Sequence, residues 1–106
     1  MSKHYVYVIN LDKKVLNIKR FREENPDYIE GKPCVYVGQS AREPKVRFEQ
    51  HLNGYKANKY AKKFGNFLRN KNTGVNNPYD SREAAEKAEP ETAERLRARG
   101  YGVWSK

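Results

Sequence analysis

Arg47 and His51 are four positions apart in a segment that we predict to be helical, so both side chains point to the same side of it. The forked guanidinium of an arginine binds a phosphate and stabilises charge that develops on its non-bridging oxygens. A histidine one turn away donates to the same phosphate or carries a proton. Each residue also has an ordinary alternative, namely an exposed arginine in a basic segment and a helix-end histidine that makes a local hydrogen bond.

Two tyrosines, Tyr7 and Tyr36, lie on successive runs of alternating apolar residues that predict strands. If these strands pair antiparallel in matching register, both hydroxyls project from one face of the sheet. The alternative is that both are core tyrosines with buried rings and satisfied hydroxyls, which is the commoner arrangement for tyrosines in strands.

Glu89 is the carboxylate that we expect to face inward from the last predicted helix. At about 100° per residue, the apolar stripe of this helix consists of Ala85, Ala88, Thr92 and Leu96. Glu89 falls within roughly 40° of the centre of the stripe, whereas Glu86 lies roughly 100° away and Glu83 on the far side. A buried carboxylate needs a basic side chain or a divalent cation. Pro90 removes one backbone donor directly after it, where a kink or a new helix start is expected.

Periodicity and turn residues predict the element order βαβααβαβ for the whole chain. The strands are predicted at 4–10, 34–38, 65–69 and 101–104, and the helices at 13–24, 44–52, 55–64 and about 80–99. We expect Asp80 to cap the last helix in a capping box with Glu83, and Gly100 to end it in the left-handed conformation. Gly38 is expected to let the chain turn sharply after the second strand, and 70–79 is expected to be a loop.

Length and composition favour a single domain of the α+β class, with its centre in a small sheet. The chain has 106 residues, of which 37% are hydrophobic and 33% charged, which excludes a wholly disordered chain. The longest apolar run, 5–9, is far shorter than the roughly 20 residues of a membrane-spanning helix. Without a secretory leader the expected location is cytoplasmic. A single cysteine, Cys34, excludes an internal disulfide, and with two histidines it is insufficient for a structural zinc site.

The net charge of +9, from 22 Lys and Arg against 13 Asp and Glu, favours an anionic partner. The surplus is concentrated between 42 and 71, where two aromatic residues, Tyr55 and Tyr60, are available for stacking. Nucleic acid is therefore the first candidate partner, and its predicted contacts are Lys45, Lys56, Lys59, Lys62 and Lys63. The ordinary alternative is a solvated helix face.

Four features follow one another along this chain: Tyr5-Val6-Tyr7, Tyr36-Val37-Gly38, the Arg-x-x-x-His spacing that ends at His51, and the inward-facing Glu89. Together they resemble the GIY-YIG nuclease family, and the resemblance extends from 5 to 104. A tyrosine, Tyr5, stands where the family has glycine. The two tripeptides are separated by much more chain than the short hairpin that is usual in the family.

The resemblance implies a fold in which helices flank a small, mainly antiparallel sheet. It also implies that 1–106 form a single nuclease domain, with an insertion at about 11–32 between the two tripeptides. The activity implied is that of a metal-dependent endonuclease that hydrolyses phosphodiester bonds, with DNA as the expected substrate.

The resemblance further implies a role for each side chain. Glu89 binds one divalent cation, Mg²⁺ or Mn²⁺, and Arg47 holds the scissile phosphate. Tyr7 deprotonates or orients the attacking water, which requires its pKa, ordinarily about 10, to be lowered by nearby cations. Tyr36 positions the water or the phosphate, and His51 assists.

Two other classes of function remain open at this point. The first is a non-catalytic basic module that binds nucleic acid, and the second is an interaction protein whose basic face binds an acidic partner. For the nuclease, specificity comes from this domain, from a homodimer or from a targeting partner. No contact with a membrane is expected.

Overall fold

A computed structural model describes residues 3–105 and contains one four-stranded sheet with the strand order β3-β1-β2-β4. The strands are β1 (Tyr5–Leu11), β2 (Cys34–Ser40), β3 (Gly65–Leu68) and β4 (Gly102–Trp104). β1 pairs antiparallel with both β2 and β3, whereas β4 pairs parallel with β2. The chain therefore has the α+β class and the mainly antiparallel sheet that the sequence predicted.

The helices are α1 (Lys19–Glu24), α2 (Pro44–Leu52), α3 (Lys59–Phe64) and α4 (Arg82–Ala98). The helix predicted at 13–24 is divided at Ile18, where the backbone is extended between a short 3₁₀ helix and α1. The helix predicted at 55–64 begins only at Lys59, because the Asn58 side chain accepts hydrogen bonds from the first free N–H groups and caps it there. No helix among residues 3–105 is long and apolar enough to cross a membrane.

α4 is continuous, and Pro90 lies inside it without restarting it. Its N-cap is Ser81, whose hydroxyl accepts from the N–H of Ala84 at 3.1 Å, so the predicted capping box at Asp80 is wrong. Gly100 follows the helix with φ of +88°, the left-handed conformation that was predicted for it.

The two faces of the sheet carry different helices. The first, which we call the tyrosine face, packs against α1 and α3 through Phe21 and Tyr60 and includes Tyr7 and Tyr36. The second, which we call the valine face, packs against α4, and its buried strand residues are Val6, Val8, Val35, Val37 and Val103. Alternation along β1 and β2 thus fixes which side chains reach which helix.

Asparagine side chains complete the hydrogen bonding at two edges of the sheet. The amide of Asn25 accepts from the N–H of Val103 at 2.8 Å and donates to its carbonyl at 3.1 Å, which covers the outer edge of β4. On β1, beyond the end of β3, Asn70 accepts from Val8 N–H at 2.8 Å and donates to Val6 C=O at 3.0 Å. Within the predicted loop at 70–79, a side chain therefore satisfies backbone groups of β1 that would otherwise need a neighbouring strand.

Candidate active site

The antiparallel register of β1 and β2 brings two tyrosines together on the tyrosine face. Tyr7 lies opposite Gly38, and Tyr36 lies opposite Ile9, so the two tyrosines are diagonal neighbours. Their ring centroids are 6.1 Å apart, and both side chains are buried. Both tyrosine side chains therefore lie on the same face of the sheet, as the antiparallel register predicted.

Gly38 makes room for one of these rings. A Cβ atom built on it overlaps with the ring and the hydroxyl of Tyr7. β2 continues through Gly38 to Ser40, so the sharp turn predicted at this glycine is wrong. Glycine is needed at position 38 because the side chain of Tyr7 lies across it. It is not needed for a turn, since the strand continues.

His51, near the end of α2, joins Tyr7 through a buried hydrogen bond of 2.8 Å between Nε2 and the phenol oxygen. Its other ring nitrogen, Nδ1, accepts from the backbone N–H of Asn58 at 3.1 Å. In a neutral imidazole the proton is therefore on Nε2, and His51 donates to Tyr7. Burial, together with the positive charge of Arg47, lowers the pKa of His51 from 6.5 to about 4, so the ring is neutral at physiological pH.

The oxygen of Tyr7 is surrounded by hydrogen-bond donors. Besides the hydrogen bond with His51, the positive charge of Arg47 lowers its pKa, followed by hydrogen bonding with Tyr36 and Arg47. Burial outweighs them, so the pKa of Tyr7 is raised above 10.0. The charge of Arg47 thus acts in the direction that the role of a base requires, but desolvation of the phenolate is the larger effect in the protein without substrate or metal. Burial also raises the pKa of Tyr36.

Arg47 is held in place by the loop between α2 and α3. Its Nη1 donates to the carbonyl of Tyr55 at 3.1 Å and to Gln50 Oε1 at 3.2 Å, and its Nη2 donates to the carbonyl of Lys56 at 2.7 Å. No ion pair within residues 3–105 neutralises its charge. The guanidinium is thus oriented in advance and keeps a net positive charge beside Tyr7.

Glu89 is the least exposed glutamate of α4, since Glu83, Glu86, Glu91 and Glu94 are all exposed while Glu89 is half-buried. The predicted orientation is therefore confirmed, and the predicted stripe of Ala85, Ala88, Thr92 and Leu96 is buried. The charge of Glu89 raises the pKa values of both Tyr7 and Tyr36, which puts its carboxylate within electrostatic range of both hydroxyls. Burial, followed by repulsion from Glu86, raises the pKa of Glu89 itself.

The carboxylate of Glu89 suits a metal site of one particular kind. Within residues 3–105 no three His, Cys, Asp or Glu side chains are grouped as metal ligands, and Glu89 has no hydrogen bond or ion pair. Mg²⁺ retains several waters in proteins and is commonly bound by one or two carboxylates together with phosphates of the substrate. Glu89 thus fits a site that the substrate completes.

An open cleft of about 580 Å³ lies beside the tyrosine cluster. We call it the basic cleft, and its lining consists of Arg20, Tyr36, Arg47, His51, Lys56, Ala57, Asn58, Lys59 and Trp104. Tyr7 lies behind this lining, in contact with His51. Glu89 is not part of the lining either, and it belongs to α4, which packs on the valine face.

The five predicted phosphate-binding lysines divide into two groups. Lys56 and Lys59 line the basic cleft, whereas Lys45, Lys62 and Lys63 are exposed on α2 and α3 outside it. Sequence reasoning missed Arg20 and Trp104, which also line the cleft. Arg20 belongs to the segment interpreted as an insertion, and no spacing in the sequence connects it to Arg47.

Comparison of the chain with protein-family models, with curated proteins and with solved structures finds no match. Function is therefore inferred from the geometry of the side chains described above. Four of them, Tyr7, Tyr36, Arg47 and His51, come from three separate segments and meet at one cluster.

Proposed function

We propose that this protein is a metal-dependent endonuclease of the GIY-YIG type that hydrolyses phosphodiester bonds, with DNA as the substrate. The observation that carries the proposal is the hydrogen-bonded cluster of Tyr7, Tyr36, Arg47 and His51 beside a basic cleft, with Glu89 within electrostatic range. A fold needs no such cluster for stability, because each buried polar group raises the cost of desolvation.

Arg47 binds the scissile phosphate in this proposal. Its guanidinium is fixed by the carbonyls of Tyr55 and Lys56, so little side-chain entropy is lost when a phosphate binds. A preorganised positive charge stabilises the additional negative charge of the pentacoordinate transition state more than it stabilises the substrate.

Tyr7 orients the attacking water. Its oxygen already accepts a hydrogen bond from His51 Nε2–H, so its own hydroxyl hydrogen points elsewhere. The donors around the oxygen stabilise a phenolate, but in the substrate-free protein burial keeps the pKa raised and the phenol protonated. The role of a general base therefore requires a change in the surrounding charge when the substrate binds.

Glu89 holds the divalent cation, Mg²⁺ or Mn²⁺. When bound, this ion supplies positive charge that polarises the phosphate and stabilises the leaving oxygen. A half-buried carboxylate without a cationic partner is unfavourable by itself, which is consistent with a ligand whose metal arrives with the substrate.

The alternative function is a non-catalytic basic module that binds nucleic acid. It is favoured by two observations. Arg47 donates two hydrogen bonds to its neighbouring loop and one to Gln50 of its own helix, and Glu89 does not line the basic cleft. Both functions use the same surface, so an assay of turnover separates them.

The experiment is incubation of the purified protein with supercoiled plasmid and either Mg²⁺ or Mn²⁺. We expect nicking by the wild type and a loss of about 10²-fold or more in Glu89→Gln, because one electrostatic contact of the transition state is removed. Glu86→Gln, on the exposed side of the same helix, is the matched control and retains activity. Salt-sensitive binding without nicking by the wild type would establish the binding module instead, and absence of binding at low salt would favour the interaction protein.

A further inference from the structure

Four cations surround the basic cleft, and no carboxylate lines it. They are Arg20, Arg47, Lys56 and Lys59. Within residues 3–105 the ion pairs are Arg82 to Glu86 and Arg97 to Glu94, and both lie on α4. Like charges around one opening repel each other, and this repulsion is relieved when an anion enters. One phosphate on Arg47 leaves three of the cations without an anion.

Arg20, like Lys56 and Lys59, lies over an aromatic ring. Its guanidinium lies 5.8 Å from the centre of the Trp104 ring, in a cation–π contact. Trp104 in turn lies opposite Tyr36 in the ladder between β4 and β2. Arg20 therefore contacts the ring of Trp104, whose strand β4 pairs with the strand β2 that carries Tyr36.

The helix that carries Arg20 is anchored at two points that follow this residue in the chain. The next residue, Phe21, is fully buried on the tyrosine face, with its ring against Tyr60. At the end of α1, Asn25 bonds to both backbone groups of Val103. The exposed side chain of Arg20 thus projects from a fixed backbone into the cleft, unlike an arginine on a loose loop.

We propose that Arg20, together with Lys56 and Lys59, binds a second backbone phosphate of the strand whose scissile phosphate lies on Arg47. This inference rests on the proposed function, and it makes the preferred substrate a polynucleotide strand that carries a phosphate beside the one cleaved. Lys56 and Lys59 come from α3 and the loop before it, whereas Arg20 comes from α1. The strand is therefore held between the insertion and the loop that fixes Arg47.

The test compares Arg20→Ala with Lys19→Ala, which removes the same charge from the same helix but outside the cleft lining. Binding of a fluorescein-labelled DNA duplex is measured by anisotropy over a range of salt concentrations, in Ca²⁺ to prevent cleavage. Arg20→Ala is expected to weaken binding about tenfold at low salt and to reduce the slope of log K against log salt by about one unit. Lys19→Ala leaves the slope unchanged. Circular dichroism checks that each variant is folded.

A second readout uses Trp104, the only tryptophan of the chain. Its emission should shift when the duplex binds to the wild type, because the strand contacts Arg20 above the ring. The same shift with inorganic phosphate at matched ionic strength would show a site for free phosphate and overturn the assignment to a strand.

The outcomes separate this inference from the proposed function. Nicking by the wild type with equal binding slopes for both variants overturns the second phosphate site and leaves the nuclease intact. A slope reduced only in Arg20→Ala, without nicking under any metal, supports the site and overturns the nuclease. A wild type that binds no duplex at low salt overturns both.

Discussion

Gly38 lies directly opposite Tyr7 in the ladder between β1 and β2, and the tyrosine ring occupies the space that any side chain at Gly38 would need. The hydroxyl of this ring is also the one that bonds to His51. The glycine of the second tripeptide is therefore a packing requirement of the tyrosine in the first. A change at either position alters the geometry of the cluster.

Gly38→Ala is expected to destabilise the fold by about 1–3 kcal/mol, because the added methyl displaces the Tyr7 ring in a packed core. Urea unfolding measures the loss. In a double-mutant cycle with Tyr7→Leu, which removes most of the ring, the cost of Gly38→Ala should fall. Equal costs in the two backgrounds would show that the Tyr7 ring is not what requires the glycine.

Tyr7→Phe is expected to retain DNA affinity and to lose most turnover, because only the hydroxyl is removed. The variant also leaves the buried Nε2–H of His51 without its acceptor, at a cost of about 1–3 kcal/mol in stability. Tyr5→Phe, two residues away on the same strand and half-exposed, is the control and keeps both properties. Plasmid nicking and anisotropy are compared at a temperature where all three proteins are folded. A loss of affinity as large as the loss of rate argues against a role for this hydroxyl in the reaction.

His51 makes the stability of the protein depend on pH in a window that its shifted pKa defines. Since burial lowers this pKa from 6.5 to about 4, the unfolded chain binds a proton in that interval that the folded protein does not. Stability due to His51 is therefore complete above pH 6.5 and falls as the pH decreases towards 4. We expect His51→Gln, which does not titrate, to give a flatter profile of unfolding free energy between these limits. If the wild type and His51→Gln gave parallel profiles of unfolding free energy against pH, a buried neutral His51 would be contradicted.

The contribution of Glu89 to the pH dependence of stability has the opposite sign to that of His51. Its pKa is raised by burial and by Glu86, so the folded protein favours the neutral carboxyl and loses stability as the pH rises through that pKa. Glu89→Gln is expected to be more stable than the wild type at pH 7, by roughly 0.5–1 kcal/mol, and equally stable in acid. Added Mg²⁺ and duplex should stabilise the wild type more than this variant. If Glu86→Gln gives the same increase, general reduction of negative charge on α4 is the cause and Glu89 has no particular role.

The parts of the fold that depend on local chemistry were predictable from the sequence. The proline at the start of α2 and the Asn-Gly after it define Pro44–Leu52, and the inward position of Glu89 follows from helical geometry. The balance between burial and the charge of Arg47 at Tyr7 was not predictable from the sequence, because it depends on how α2 packs beside the ring. Arg20 and Trp104 meet only when the chain folds, since no local pattern relates positions so far apart.

The asparagines of 70–79 illustrate a further limit. In the sequence they indicate a turn, because Asn is typical of loops. In the structure Asn70 and Asn77 instead satisfy the backbone of Val6 and Val8 on β1. This use of an amide side chain depends on the sheet being in place, so composition alone does not predict it.

Asn70→Ala is accordingly expected to destabilise the protein by about 1–3 kcal/mol, because it removes the acceptor of the Val8 N–H and a donor to the Val6 carbonyl. Asn76→Ala, at an exposed position of the same loop, is the matched control and should change stability by less than about 0.5 kcal/mol. Hydrogen exchange gives the specific readout, since the Val8 amide should lose protection in Asn70→Ala while amides of β2 change only with global stability. Retained protection at Val8 would show that another group, or water, replaces the amide. Because Tyr7 lies between the two valines, nicking activity should fall together with the protection of Val8.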